Sequence, residues 1–96
     1  MKAWIYILCN KPNGVLYTGV TSELKNRINS HKIKKYKNSF SARYNVDKLV
    51  YFEEFNSIVI ANEREKQIKA GSRAKKVKLI EGFNPEWKDL FDEVCG

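Results

Sequence analysis

Residues 3–20 read Ala3-Trp4-Ile5-Tyr6-Ile7-Leu8-Cys9-Asn10-Lys11-Pro12-Asn13-Gly14-Val15-Leu16-Tyr17-Thr18-Gly19-Val20, and this stretch decides the fold. Positions 3–9 are apolar or aromatic on both alternating faces, the pattern of a well-covered strand. Asn10-Lys11-Pro12-Asn13-Gly14 has the chemistry of a turn. Positions 15–20 make a second strand, so the two form a hairpin. Pairing Cys9 with Gly14 across the turn sets Tyr6 opposite Tyr17 on one sheet face. A slip of one residue would separate them. Gly19 lies two positions beyond Tyr17 on that face, with no side chain, and such a glycine marks a place where another group comes close.

Working outward, Thr21 or Ser22 can cap a helix whose inner face holds Leu24 and Ile28. Positions 32–47 are polar, basic and weakly patterned, a loop with room for a short helix. Positions 48–55 are a third strand. Ser57 caps a helix to about Lys69, ended by Gly71, and Ser72 starts another through about Ile80. Asn84-Pro85-Glu86 reads as a cap with proline at the first helical position, followed by Trp87, Leu90, Phe91 and Val94 at helical spacing. The order ββαβααα predicts an α+β fold, a small three-stranded antiparallel sheet flanked by helices, in one domain over 1–96.

Composition narrows the function. Ninety-six residues bury one core, not two. Eighteen Lys and Arg against eleven Asp and Glu give a net charge of +7, which calls for a polyanionic partner such as nucleic acid. The positive charge is concentrated between Lys25 and Lys78, and the tail is acidic from Glu81 to Glu93, so one basic face is expected. No apolar run could span a bilayer, and no helix sets a large apolar face against a lysine face, so membrane roles are set aside. The start lacks a secretory cleavage site. Cys9 and Cys95 sit in no CxxC, and His31 is the one histidine, so neither a structural zinc site nor a disulfide scaffold is expected. The expected compartment is the cytoplasm.

Several residues could carry chemistry. Ile58, Ala61, Glu65 and Ile68 share one helix face, and a carboxylate on an apolar stripe needs a partner. That partner is either a lysine or arginine, or a divalent metal whose shell is completed by water and phosphate. Tyr6 and Tyr17 are either strand aromatics packing a core or reactive phenols. Arg27 and His31 lie one turn apart on one helix face; each alone reads as surface polarity, though Arg suits phosphate and His moves protons near neutrality. Together they supply what metal-assisted phosphodiester hydrolysis requires: a base, a cation at the phosphorus and a metal ligand. For strand binding, Lys34, Lys35, Arg43, Lys69, Arg73, Lys75 and Lys76 are the phosphate-contacting candidates, a sequence-independent mode. Tyr36, Phe40 and Tyr44 among these basics either anchor the loop, the favoured reading for Phe40, or stack on bases.

The chain resembles the GIY-YIG nuclease superfamily, in its small single-domain bacterial (YhbQ-like) branch. The first motif stands as Trp4-Ile5-Tyr6 and the second as Tyr17-Thr18-Gly19. Arg27 follows Tyr17 by ten residues and His31 lies four further on; Arg64-Glu65-Lys66-Gln67-Ile68-Lys69 looks like the family's metal-binding glutamate helix. Leu49-Val50-Tyr51-Phe52-Glu53 and Asn84-Pro85-Glu86-Trp87 extend the likeness over essentially the whole chain. The resemblance implies one divalent metal, Mg²⁺ or Mn²⁺, on Glu65. It implies that Tyr6, assisted by His31, activates water, that Tyr17 orients it or helps deprotonate it, and that Arg27 binds the scissile phosphate and stabilises the transition state. Asn84 is a weaker candidate, since some relatives place a functional Asn after the glutamate, and a helix cap is the favoured role. Trp4 replaces the motif's glycine, and Val20 stands where some excision-repair relatives carry a lysine, which leaves proton transfer to His31. The implied activity is endonucleolytic cleavage of DNA in preference to RNA, with little sequence specificity, in repair or recombination, with single-stranded, branched or damaged sites as candidate substrates. The alternative is a catalytically weak nucleic-acid-binding module acting with a partner protein. No specificity domain is expected, so targeting falls to a protein partner or to substrate shape, with the chain a monomer or weak dimer.

Overall fold

The computed structural model describes residues 1–34 and 39–95, so Lys35, Tyr36 and Lys37 lie outside it. The elements are β1 (Ala3–Cys9), β2 (Leu16–Thr21), α1 (Leu24–Lys32), α2 (Phe40–Arg43), β3 (Lys48–Phe55), α3 (Ile58–Ala70), α4 (Arg73–Phe83) and α5 (Phe91–Cys95). The three strands form the antiparallel sheet that the sequence predicts, and their order is β2-β1-β3. β1 is central, which explains its apolar character on both faces: from Ile5 to Cys9 every residue is fully buried. Ala61, Ile68 and Ile80 of α3 and α4 cover the face with Ile5 and Ile7. Leu24 and Ile28 of α1, with Phe91 and Val94 of α5, cover the face with Tyr6 and Leu8.

The hairpin register differs from the expected one by two residues. Cys9 pairs with Leu16, Leu8 with Tyr17 and Tyr6 with Gly19. The cause is Asn10, whose Oδ1 accepts the Val15 N–H at 2.8 Å and delays the ladder. An even shift keeps every side chain on its face, so Tyr6 and Tyr17 still share one. Arg73 Nη2 donates to the carbonyl oxygens of Asn13 and Gly14 at 2.9 and 2.6 Å, tying α4 to the hairpin loop. In β3 the register shifts between Ile7 and Leu8, leaving Val50 as an extra residue. Such a bulge lets Val50 and Tyr51, neighbours in sequence, both join the core on the α3 side.

Two helix starts differ from expectation. α1 begins after Glu23, which has no side-chain cap of its own; the Thr21 hydroxyl accepts the Glu23 N–H at 3.0 Å, two residues too early to cap the helix. Ser57 and Ser72 do cap α3 and α4. The helix expected from Pro85 starts only at Phe91, as α5, because Asn84 competes for the backbone before it. Asn84 Nδ2 donates to the Lys88 and Val50 carbonyls at 2.7 and 3.2 Å, and its Oδ1 accepts the Lys88 N–H at 3.1 Å. Trp87 then adopts φ 56°, outside any helix. The tail crosses the sheet's end, with Trp87 in the α3-side core and Leu90 in the α1-side core.

Asn84 thus closes α4 and pins the tail to β3 with a buried amide. Asn84→Ala leaves buried polar groups unpaired and is expected to destabilise the fold by about 1–3 kcal/mol. Urea denaturation measures this; an unchanged midpoint would contradict the assigned role.

Candidate functional site

The site grows from β1. Tyr6 is fully buried, and the β2 residue opposite it is Gly19. A Cβ on Gly19 would stand 2.4 Å from the Tyr6 hydroxyl oxygen and 2.5 Å from Cζ. The phenol therefore lies across β2 through the space that the missing side chain leaves. This is the close approach that a strand glycine permits.

Three rings converge there. Tyr6 and Tyr17 have centroids 6.3 Å apart, Tyr6 and His31 5.8 Å, and Tyr17 and His31 5.3 Å. The Tyr6 hydroxyl and His31 Nε2 are hydrogen-bonded at 3.2 Å. α1 delivers His31 because Leu24 and Ile28 fix that helix on the Tyr6 face. Arg27, one turn earlier, is exposed, yet its guanidinium acts on both Tyr6 and His31. Burial pushes the Tyr6 phenol up to about 12, with Tyr17 and Glu65 adding to the rise and Arg27 opposing it. Burial, and then the positive charge of Arg27, lowers the His31 pKa below 6.5. The imidazole is therefore neutral at physiological pH and beside a phenol that keeps its proton.

Glu65 comes from α3, on the other side of the sheet, and its charge reaches Tyr6. Its carboxylate pairs with Lys69 at 3.3 Å, the ion pair that its place on an apolar stripe calls for. The lysine is about half exposed, and such a pair is worth roughly 0.2–1 kcal/mol. Among the described residues no group of three or more His, Cys, Asp and Glu could hold a metal. The lone carboxylate of Glu65 is a donor set that would suit a cation keeping most of its water, as Mg²⁺ does.

Tyr6 thus interacts with each of the other four candidates, Tyr17, Arg27, His31 and Glu65, the last from the α3 side of the sheet and by its charge alone. Asn84 is bonded to Val50 and Lys88 instead. Of the basic candidates, Lys69 and Lys76 line a groove of about 300 Å³ with Leu16, Tyr17, Thr18 and Phe40. Lys75 and Lys76 border a second groove between α3 and α4. Lys34 and Arg43 are exposed, whereas Arg73 spends its guanidinium on the hairpin loop. The Phe40 ring, read from the sequence as a loop anchor, stacks on Tyr17 with centroids 6.2 Å apart. Its spacing of four from Tyr44 in a basic segment was the available signal.

The family model of the GIY-YIG catalytic domain matches residues 2–78, a span that contains all five residues and excludes Asn84. The chain is similar to the UPF0213 protein of Syntrophus aciditrophicus, 38% identical over 86 residues covering 88% of this chain and 95% of that one. It is 41% identical over 80 residues to a UPF0213 protein of Staphylococcus haemolyticus, covering 83% and 95%. Among solved structures, the solution NMR structure of a UPF0213 protein from Bacillus halodurans matches with a TM-score of 0.58 and 28% identity, covering 93% of each chain.

Gly19→Ala forces the buried phenol to move. It is expected to destabilise the protein by about 1–3 kcal/mol through overpacking. A shift of that size in the urea midpoint is the expected reading; a neutral substitution would mean the ring has somewhere else to go.

Proposed function

The chain belongs to the GIY-YIG family of nuclease domains, and we propose that residues 1–96 act as one catalytic domain, a divalent-metal-dependent endonuclease. It hydrolyses phosphodiester bonds in DNA with little sequence preference, in repair or recombination. The observation that carries this reading is the Tyr6–His31 hydrogen bond with Arg27 acting on the same hydroxyl. The net charge of +7 supports a nucleic-acid substrate. No helix of the described residues is long and apolar enough to cross a membrane.

Neutral His31 takes the Tyr6 hydroxyl proton at Nε2 as Tyr6 takes one from water, so the phenol relays a proton without becoming a lasting phenolate. This matters because a buried phenol with a pKa pushed up to about 12 is a poor standing base. Tyr17, beside both rings, orients the water. Arg27 holds the non-bridging phosphate oxygens and balances the charge that builds as the water attacks. Glu65 would hold the divalent cation, which when bound supplies Lewis-acid neutralisation of charge on the leaving oxygen. The second reading, a binding module with negligible turnover, draws on the Glu65–Lys69 ion pair.

Supercoiled plasmid with Mg²⁺ or Mn²⁺ separates the two readings. The wild type is expected to nick it. Glu65→Gln and Arg27→Ala should each lose orders of magnitude in turnover while keeping their fold. Equal nicking by wild type and Glu65→Gln would reject the metal role; no nicking by wild type in either metal would favour the binding module.

The chain's one histidine makes a second test direct. Its NMR titration is expected to have a midpoint below 6.5, moving up towards 6.5 in Arg27→Gln as one of the two causes is removed. The unfolded imidazole binds a proton more readily, so stability is expected to fall as pH drops through the window beneath 6.5. A midpoint above 6.5 would end the proposed role of neutral His31.

A further inference from the structure

Beyond the reacting cluster, the aromatic row continues. Tyr17 is stacked by Phe40 at an interplanar angle of 28°, and Phe40 meets Tyr44 with centroids 4.8 Å apart. The short helix α2 sets this spacing. Ser39 caps it by accepting the Ala42 N–H, and residues four apart on one helical turn share a side. These contacts leave part of each ring open to solvent. Phe40 and Tyr44 are each 46% exposed, within a strongly basic surface.

Cations flank the row. Lys69 and Lys76 share the groove with Phe40 and Tyr17, and exposed Arg43 stands over the Tyr44 ring at 6.0 Å. Exposed aromatic faces between lysines and arginines are how proteins hold unpaired nucleotides: bases stack on the rings and cations take the phosphates. A paired base inside a duplex offers no free face for such a contact.

We propose that Phe40 and Tyr44 form a stacking platform for an unpaired base of the strand whose phosphate reaches Arg27, so that the preferred substrate is single-stranded or locally unpaired DNA. This rests on the nuclease reading and specifies its substrate class. Selection is by strand geometry. The platform touches the π-face that every base has, so it adds little sequence preference. Lys69 lines the same groove as Phe40, and with a cation on Glu65 it would be left to meet a phosphate there.

Binding can be read without cutting, with chelator present. Oligonucleotides carrying 2-aminopurine are offered single-stranded or fully paired. The wild type is expected to quench the single-stranded probe and bind it more tightly than the duplex. Phe40→Leu keeps apolar bulk and removes the ring; it should abolish the quench and weaken single-strand binding roughly tenfold, leaving duplex affinity roughly unchanged. Tyr44→Leu should do the same from the other ring, and Phe40→Trp should retain the quench. The platform is overturned if folded Phe40→Leu and Tyr44→Leu, checked by circular dichroism, bind the single strand like the wild type. It is also overturned if both lose duplex and single-strand affinity equally. Restoring Mg²⁺ tests the other reading separately: quenching without cleavage of either probe would reject the nuclease and leave the stacking platform supported.

Discussion

The site depends on one steric fact, that the Tyr6 phenol crosses a neighbouring strand where that strand has no side chain. Central β1 can bury a tyrosine completely only if its ring has room to lie down, and Gly19 supplies the room. From there the hydroxyl meets His31 on α1 and feels the charge of Glu65 on α3. A β-sheet normally insulates its two faces from each other. Here the edge strand β2 is where the two helical layers meet, and the groove shared by Phe40 with Lys69 and Lys76 marks that meeting.

Two glutamates on the α3 side of the sheet show how surroundings assign roles. Glu53 receives Arg64 through Nε to both carboxylate oxygens and Nη2 to one, and also the Tyr51 hydroxyl. A carboxylate so fully engaged is structural, and it joins β3 to α3. Glu65 is held by an exposed lysine, a pair weak enough to be exchanged. Arg64 and Arg73 are likewise committed to the fold, one to Glu53 and one to the hairpin loop, while Arg27 stays exposed beside the phenol. Charge count alone does not separate these cases. The geometry of each partner does.

Much of this was legible in order along the chain. The strand pattern, the serine caps of α3 and α4 and the stripe Leu24–Ile28 are local signals, and local physics decides them. The tail was misjudged because Pro85 at a helix start is a local preference, whereas Asn84 bonding to Val50, 34 residues away, is not. The hairpin register was misjudged by two because the Asn10 side chain, not turn length, sets where pairing begins. That error was harmless to the face assignment only because it was even.

The sequence by itself determined the α+β class and the shared face of Tyr6 and Tyr17, because periodicity and residue chemistry act over a few positions, and the resemblance of its motifs pointed to the five candidate residues. The tertiary structure alone decided that the phenol points through Gly19 to His31, that Glu65 leans on Lys69, and that Phe40 and Tyr44 stand half exposed beside Tyr17. These depend on where separate elements come to rest against one another. Packing, which acts between residues far apart in the chain, sets those distances.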